Sequence, residues 1–191
     1  MHVFIDCGAY KGNAIRKFMA SADKAWRIHA FEPNTHIKRD YPNGTIVHNE
    51  AVWIEDGVIP FYFSTKGYKR SSSSAMKNKT SGNLNHKKPE IVPCIDFSKW
   101  LLHNFEDDNI VLKMDIEGAE YQVLRKMLND GSISLINTLY IEFHAHKIDM
   151  DKEIQRQLIR DLQAVETLDL QPDMIGSKHH PERASIDWYL K

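Results

Sequence analysis

The sequence predicts an α/β fold, a mostly parallel sheet with helices on both faces. Two observations carry this. Short apolar runs alternate along the chain with segments of helical periodicity, the pattern of strands joined by crossover helices. The first apolar run also leads straight into a glycine turn, D-C-G-A-Y-K-G, before a helical pattern starts. A strand, a tight turn and a helix N-terminus let backbone approach a ligand that side chains would keep away.

The elements follow in order. Residues 3–6 are a first buried strand. Ile15, Phe18, Met19 and Ala22 fall on one face of a helix. Residues 28–31 are a second strand, stopped at Glu32-Pro33-Asn34 because Pro33 keeps its neighbour extended. A short helix over 35–40 and a turn at Pro42-Asn43-Gly44 precede a third strand at 45–48. Residues 51–54 and 59–63 read as a hairpin about Glu55-Asp56-Gly57, since Asp-Gly is a strong turn signal. Asp96 is placed to cap a helix with Phe97, Trp100 and Leu101 on its inner face. Residues 110–114 form a buried strand, and Tyr121, Leu124 and Leu128 mark the helix after it. Residues 138–143 are another strand, with Glu142 and His144 at its exit. Ile154, Leu158, Leu162 and Val165 mark a further helix, and 185–190 read as a last strand. There is no internal repeat.

The stretch 64–90 differs in kind. It is rich in Ser, Asn, Lys and Gly, and its Lys66, Lys69, Arg70, Lys77, Lys79, Lys87 and Lys88 face Glu90 alone, a local charge of +6. It reads as a basic insertion in one domain spanning 1–191, either a lid over the site or a solvated, disordered loop.

Whole-chain totals set the bounds. A chain of 191 residues fits one domain and buries about 70% of its unfolded surface. Apolar and charged fractions of 42% and 27% are ordinary for a globular protein. A net charge of -1 gives no bulk attraction to nucleic acid or membrane. Cys7 and Cys94 make no disulfide framework, no apolar run reaches the length of a membrane span, and M-H-V-F-I-D enters a strand with no signal-peptide pattern and no covering segment before it. The expected setting is cytoplasmic.

Ligands on such sheets bind beyond the carboxyl ends of the strands. Four strands bring acidic groups to that rim: Asp6, Glu32, Asp115 with Glu117, and Glu142 with His144. The gap from Gly8 to Gly12 is one residue longer than the second gap of a dinucleotide fingerprint, and Asp6 stands where its first glycine would be. A carboxylate there works against a diphosphate at the helix N-terminus and suits a cation. S-adenosylmethionine, with a sulfonium, an ammonium and no phosphate, fits better than a nicotinamide dinucleotide. Glu32 is spaced to accept both ribose hydroxyls, and Asn49-Glu50-Ala51-Val52, after the third strand, lies where an adenine would be met.

The string V-L-K-M-D-I-E-G-A-E-Y, with F-I-D-C-G-A-Y-K-G-N, A-F-E-P-N, N-E-A-V-W and I-E-F-H in that relative arrangement along the chain, resembles the FkbM-type family of S-adenosylmethionine-dependent methyltransferases over roughly residues 4–144. The resemblance implies a Rossmann-like class I methyltransferase sheet with an antiparallel last strand, and methyl transfer to a hydroxyl of a carbohydrate-like or small-molecule acceptor. By matched motif, Asp6, Gly8, Ala9 and Gly12 line the methionine end of the cofactor, Glu32 takes the ribose, Glu50 and Ala51 border the adenine, and Asp115 and Glu117 face the transferring methyl. Family members often cover the cofactor with a segment before the first strand, which leaves open how this pocket closes.

A hydroxyl acceptor must lose its proton, and Asp115 and His144 are the candidate general bases; a hydrogen-bonded structural role is the alternative for His144. Asp115, Glu142 and His144 also form a donor set suited to a divalent metal, which the spacing does not require, so no metal is expected. Ser72 and Ser73, with Glu142, are candidate contacts to the acceptor, and the basic insertion favours an anionic one. One aromatic in that insertion, Tyr68, is too few for a nucleic-acid stacking platform. A homo-oligomer is compatible with the sequence, and His179-His180 read as an exposed loop. The competing functions are a non-catalytic module that kept the fold and an NAD-dependent oxidoreductase.

Overall fold

In a computed structural model, residues 1–65, 72–172, 174 and 185–190 are described. The strands are β1 (His2–Cys7), β2 (Arg27–Phe31), β3 (Ile46–His48), β4 (Ala51–Trp53), β5 (Gly57–Phe61), β6 (Glu90–Asp96), β7 (Asn109–Met114), β8 (Ile136–Ile141) and β9 (Asp169–Pro172). The helices are α1 (Asn13–Ser21), α2 (Phe97–Asn104), α3 (Glu120–Asp130) and α4 (Lys152–Gln163). Six strands form one sheet in the order β3-β2-β1-β7-β8-β9, every neighbouring pair parallel. The order runs outward from β1 to β3 and then resumes on the other side at β7. The switch point therefore lies between β1 and β7, and a crevice opens beyond their carboxyl ends.

Alternation along β1 explains why both faces are covered. Val3, Ile5 and Cys7 point into a core shared with α2, α3 and α4, while Phe4 packs with Ile15 and Phe18 of α1 on the other side. All of these strand residues are fully buried, as expected of a parallel sheet sandwiched between helices. The Asp96 side chain caps α2 by accepting from the Lys99 amide at 3.1 Å. Both cysteines are buried free thiols. No helix among the described residues is long and apolar enough to cross a membrane.

Several expectations are corrected. β4 and β5 do not pair as a hairpin; β6 lies between them, parallel to β4 and antiparallel to β5. Asp56 of the Asp-Gly turn reaches across to this strand, accepting from the Asp96 amide at 3.0 Å and pairing with Lys99 at 2.8 Å. Residues 35–37 form a turn and a bend and 38–40 are irregular, with no helix. Their backbone neighbours are satisfied by side chains instead: Asn34 Oδ1 accepts from the His36 amide, and Arg39 donates to the carbonyls of Glu32 and Asn34. Ile186–Leu190 coil into a 3-10 helix, not a strand, held to α4 by Gln155 and Arg156, which donate to the Tyr189 and Leu190 carbonyls. The antiparallel last strand is thus absent among the described residues, and β9, at the sheet edge, runs parallel to β8. The ends of two helical faces also miss the core: Met19 is 42% and Ile154 52% exposed, with Gln155 and Ile159 turned inward in α4.

The described part of the basic stretch is tied to its neighbours over 72–85, while residues 86–90 are exposed. Thr65 and Asn83, Asn85 and Phe63, and Thr80 and Lys147 are joined by backbone hydrogen bonds, and Tyr62 pairs with Ser74 and Lys79 with Ile148 as isolated bridges. Lys66, Tyr68, Lys69, Arg70, Ser71 and the pair His179-His180 lie outside the described residues.

Candidate functional site

A cavity of about 180 Å³ opens beyond the ends of β1 and β7. The turn after β1 forms its floor. Gly8 has φ of +83°, and a Cβ there would stand 1.9 Å from the Asp115 carbonyl oxygen. Only glycine lets the exits of β1 and β7 approach this closely. Tyr10 follows with φ of +46°, a strained setting for a tyrosine. It is held from both sides: its amide donates to Glu32 Oε2 at 2.9 Å, and its carbonyl accepts from the Tyr41 hydroxyl at 2.9 Å.

Glu32, just past β2, forms the next wall. It is buried, and burial raises its pKa while the amides of Asn34 and Tyr10 work in the other direction. The Asn34 amide donates to Oε1 at 2.8 Å. Each carboxylate oxygen thus holds one backbone N–H and retains acceptor capacity toward the cavity. Phe31, Ala51, Val52 and Phe61 supply a flat apolar wall beside it.

Asp6 and Lys113 lie side by side on adjacent strands. Asp6 is fully buried behind the lining, with Lys113 Nζ at 3.1 Å from its Oδ1. The same ammonium donates to the Gly8 carbonyl at 3.1 Å and lies 3.5 Å from Asp115 Oδ2. Asp6 therefore acts on the cavity through Lys113. The charged groups at the lining itself are Glu32, Asp115 and Glu117 against Lys113, three carboxylates to one ammonium.

The loop from β7 to α3 carries the acids nearest to chemistry. Glu117 has φ of +56°, and its carbonyl accepts from the Ser74 hydroxyl at 2.8 Å. Glu120, wholly buried at the start of α3, ties the loop together by accepting from the Ile116 and Gly118 amides at 3.0 and 2.8 Å. It also meets His144 Nδ1 at 2.7 Å, which turns His144 Nε2 toward Asp115, Glu117 and Glu142 at 3.6, 3.7 and 3.5 Å. Burial would lower the His144 pKa, but Glu120 and the other carboxylates raise it well above the usual value. Burial pushes Asp115 up to about 7, with Lys113 and His144 resisting. Burial would raise Glu117 as well, but His144, Lys147 and Lys79 hold it below the usual carboxylate range; Lys79, itself buried, lies 2.9 Å away and also donates to the Ser72 carbonyl.

Of the residues singled out in the sequence, Gly8, Ala9, Glu32, Ala51, Ser73, Asp115 and Glu117 line the cavity together. Gly12 does not: it starts α1 with φ of +84° and abuts Tyr41. Asp6, Glu50, Ser72, Glu142 and His144 also stand outside the lining. Ser73 Oγ accepts from the Ser64 amide at 3.1 Å. The donor set that converges is Asp115, Glu117 and His144, with Glu117 where the sequence reading had put Glu142. Sequence reasoning missed Lys79, Lys113 and Glu120. For Lys113 the signal was present, a lysine inside the apolar run V-L-K-M; Glu120 had a place in the same diagnostic string without a role.

The family model described as "Methyltransferase FkbM domain" matches residues 6–170. No curated protein and no solved structure matches the chain.

Proposed function

The chain belongs to the FkbM methyltransferase family, and from that premise we propose that it moves the methyl group of S-adenosylmethionine to a hydroxyl of a carbohydrate-like or small-molecule acceptor. One observation carries this reading: a single cavity joins the glycine turn, a buried Glu32 with both oxygens oriented, an apolar slot at Ala51 and Phe61, and Asp115. An excess of carboxylates at the lining favours a sulfonium and disfavours a diphosphate. Glu32 would take the ribose hydroxyls, the apolar wall the adenine, and the Gly8 turn the methionine end.

The transferring methyl is already activated by the sulfonium, so the protein's work is positioning and desolvation. Near-attack geometry supplies on the order of 7–11 kcal/mol. The acceptor's proton goes to Asp115, which lines the cavity and titrates near neutrality. His144, fully buried and held by Glu120, is a positioning residue behind it. Lys77, Lys87 and Lys88 are exposed and fit an anionic acceptor, such as an acidic or phosphorylated glycan.

Calorimetry with S-adenosylhomocysteine tests the reading. Binding is expected, and Glu32→Ala should weaken it at least ten-fold, since each hydrogen bond to a charged group is worth about 1.5–3 kcal/mol. Failure of the folded protein to bind either S-adenosylmethionine or S-adenosylhomocysteine would overturn it.

A further inference from the structure

We propose that Asp115, Glu117 and His144 bind a divalent transition-metal cation at the edge of the cavity, with Glu142 beside them. The sequence alone did not require a metal, and three features of the structure now argue for one.

The first is His144. Its ring is wholly buried, and Nε2 has no hydrogen-bond partner. A buried, unanswered ring nitrogen is costly. This one points at three carboxylates 3.5 to 3.7 Å away, too far for good hydrogen bonds. Those separations are what neighbouring donors in one coordination shell show: two atoms each about 2.1 Å from a shared ion, at tetrahedral to trigonal angles, stand about 3.4–3.6 Å apart. The donor atoms of Asp115, Glu117 and His144 all lie within 4.8 Å of one another.

The second is the support behind the imidazole. Glu120 meets Nδ1 at 2.7 Å and is itself fixed by the Ile116 and Gly118 amides. A buried carboxylate on one ring nitrogen, orienting the other, is the usual backing of a metal-ligating histidine.

The third is charge. Asp6, Asp115, Glu117, Glu120 and Glu142 surround this corner, and the lysines paired with them are Lys79, Lys113 and Lys147. With His144 neutral, five carboxylates against three ammonium groups leave a deficit of two positive charges, which a divalent ion would remove in place of the proton that those carboxylates otherwise hold on His144. The lysines also bound the affinity. Lys79 and Lys147 lie 2.9 and 3.5 Å from Glu117 Oε2 and must give way in part, which weakens binding. One imidazole and two carboxylates suit ions from Mn²⁺ to Zn²⁺. On the methyltransferase reading, on which this use of the site rests, such an ion would lower the pKa of a coordinated acceptor hydroxyl, and in the ion-loaded protein Asp115 would hold the ion in place of acting as the base. The full chain, stripped with a chelator, would be titrated with Co²⁺ by visible absorption and Mn²⁺ by electron paramagnetic resonance, with S-adenosylhomocysteine calorimetry on the same samples. One ion per chain is expected. His144→Gln should weaken binding at least ten-fold, Glu120→Gln by about 10–100-fold, and the exposed Glu166→Gln not at all. If His144→Gln does not fold, Asp115→Asn takes its place. Wild-type protein that binds S-adenosylhomocysteine but neither ion overturns this proposal and leaves the methyltransferase reading intact. Ion binding unchanged in His144→Gln also overturns it. Ion binding without S-adenosylhomocysteine binding upholds the metal site and removes the methyl-transfer reading.

Discussion

Lys113 is the cation on which the carboxyl edge of the sheet depends. It is 2% exposed, beside an Asp6 that is wholly buried, and it reaches the Gly8 carbonyl and Asp115 as well. Two charges taken out of water depend on their mutual geometry, so removing one costs the other its ion pair. Lys113→Met should destabilise the protein by about 3–5 kcal/mol, read as a lower urea midpoint. The double change Lys113→Met with Asp6→Asn should recover most of that loss, because both members of the ion pair are then replaced by neutral groups. A single variant as stable as wild type would show that Asp6 is neutral in the folded protein. Asp6 was legible in the sequence as an acid ending a buried strand. Its partner was not, because pairing across β1 and β7 depends on a strand order that no local pattern encodes. His144 and Glu120 were hidden in the same way: each sits in a quoted string, but the 2.7 Å contact between them arises only when α3 packs beside the β8 exit.

At the scale of elements, the joint between a strand and the next helix decides what the turn is for. Gly8 and Gly12 share nearly the same φ, +83° and +84°, yet meet different obstacles. A methyl at Gly8 runs into backbone, the Asp115 carbonyl, whose own amide donates to the Cys7 carbonyl. At Gly12 it runs into the Tyr41 ring at 2.6 Å and stands 3.1 Å from the Asp40 carbonyl, neither of which lines the cavity. Gly8→Ala should therefore push β1 away from β7 and abolish S-adenosylhomocysteine binding. Gly12→Ala should cost roughly 1–3 kcal/mol of stability, lower the melting temperature and leave binding within a few-fold. Equal loss of binding in both would place Gly12 in the ligand site. Strand and helix succession was largely readable here, since period-two and helical runs are local. The β4–β6–β5 arrangement was not: the Asp-Gly turn is a real turn, but Asp56 ties it to β6 and α2, elements that follow a long insertion. Residues 35–40 were misread for a related reason, with side chains of Asn34 and Arg39 satisfying the backbone that a helix would have paired.

Across the whole molecule, an aromatic block fastens the β2–β3 edge of the large sheet to α2. His48, Trp100 and Phe105 surround His29 in stacked and edge-on contacts, and Phe31 packs on His48 and Trp100. His29 Nδ1 lies 3.0 Å from His48 Nε2, an arrangement in which one ring donates and the other must stay neutral to accept. Burial, with His48 and Arg27 nearby, lowers the His29 pKa from 6.5 to about 4. The unfolded chain then takes up this proton first as pH falls. The stabilisation is whole above the unfolded pKa and is lost progressively from about pH 6.5 to about pH 4, by up to about 3 kcal/mol. Asp115 acts with the opposite sign over an overlapping range, since an acid raised to about 7 makes the fold less stable as pH rises from 3.8. The wild-type curve is thus a sum, and the informative quantity is its difference from His29→Phe. A phenyl ring suits the Trp100 and Phe105 surroundings and cannot titrate. Urea unfolding at intervals between pH 4 and 8 should show wild type losing stability relative to His29→Phe as the solution becomes acidic, with parallel curves above pH 7. Curves parallel throughout would mean that His29 is protonated alike in folded and unfolded chains. The acid sensitivity of the fold would then have to come from His48, which burial also lowers, and from the carboxylates held low, such as Glu117 and Asp130, which lose their stabilisation only in a lower pH window.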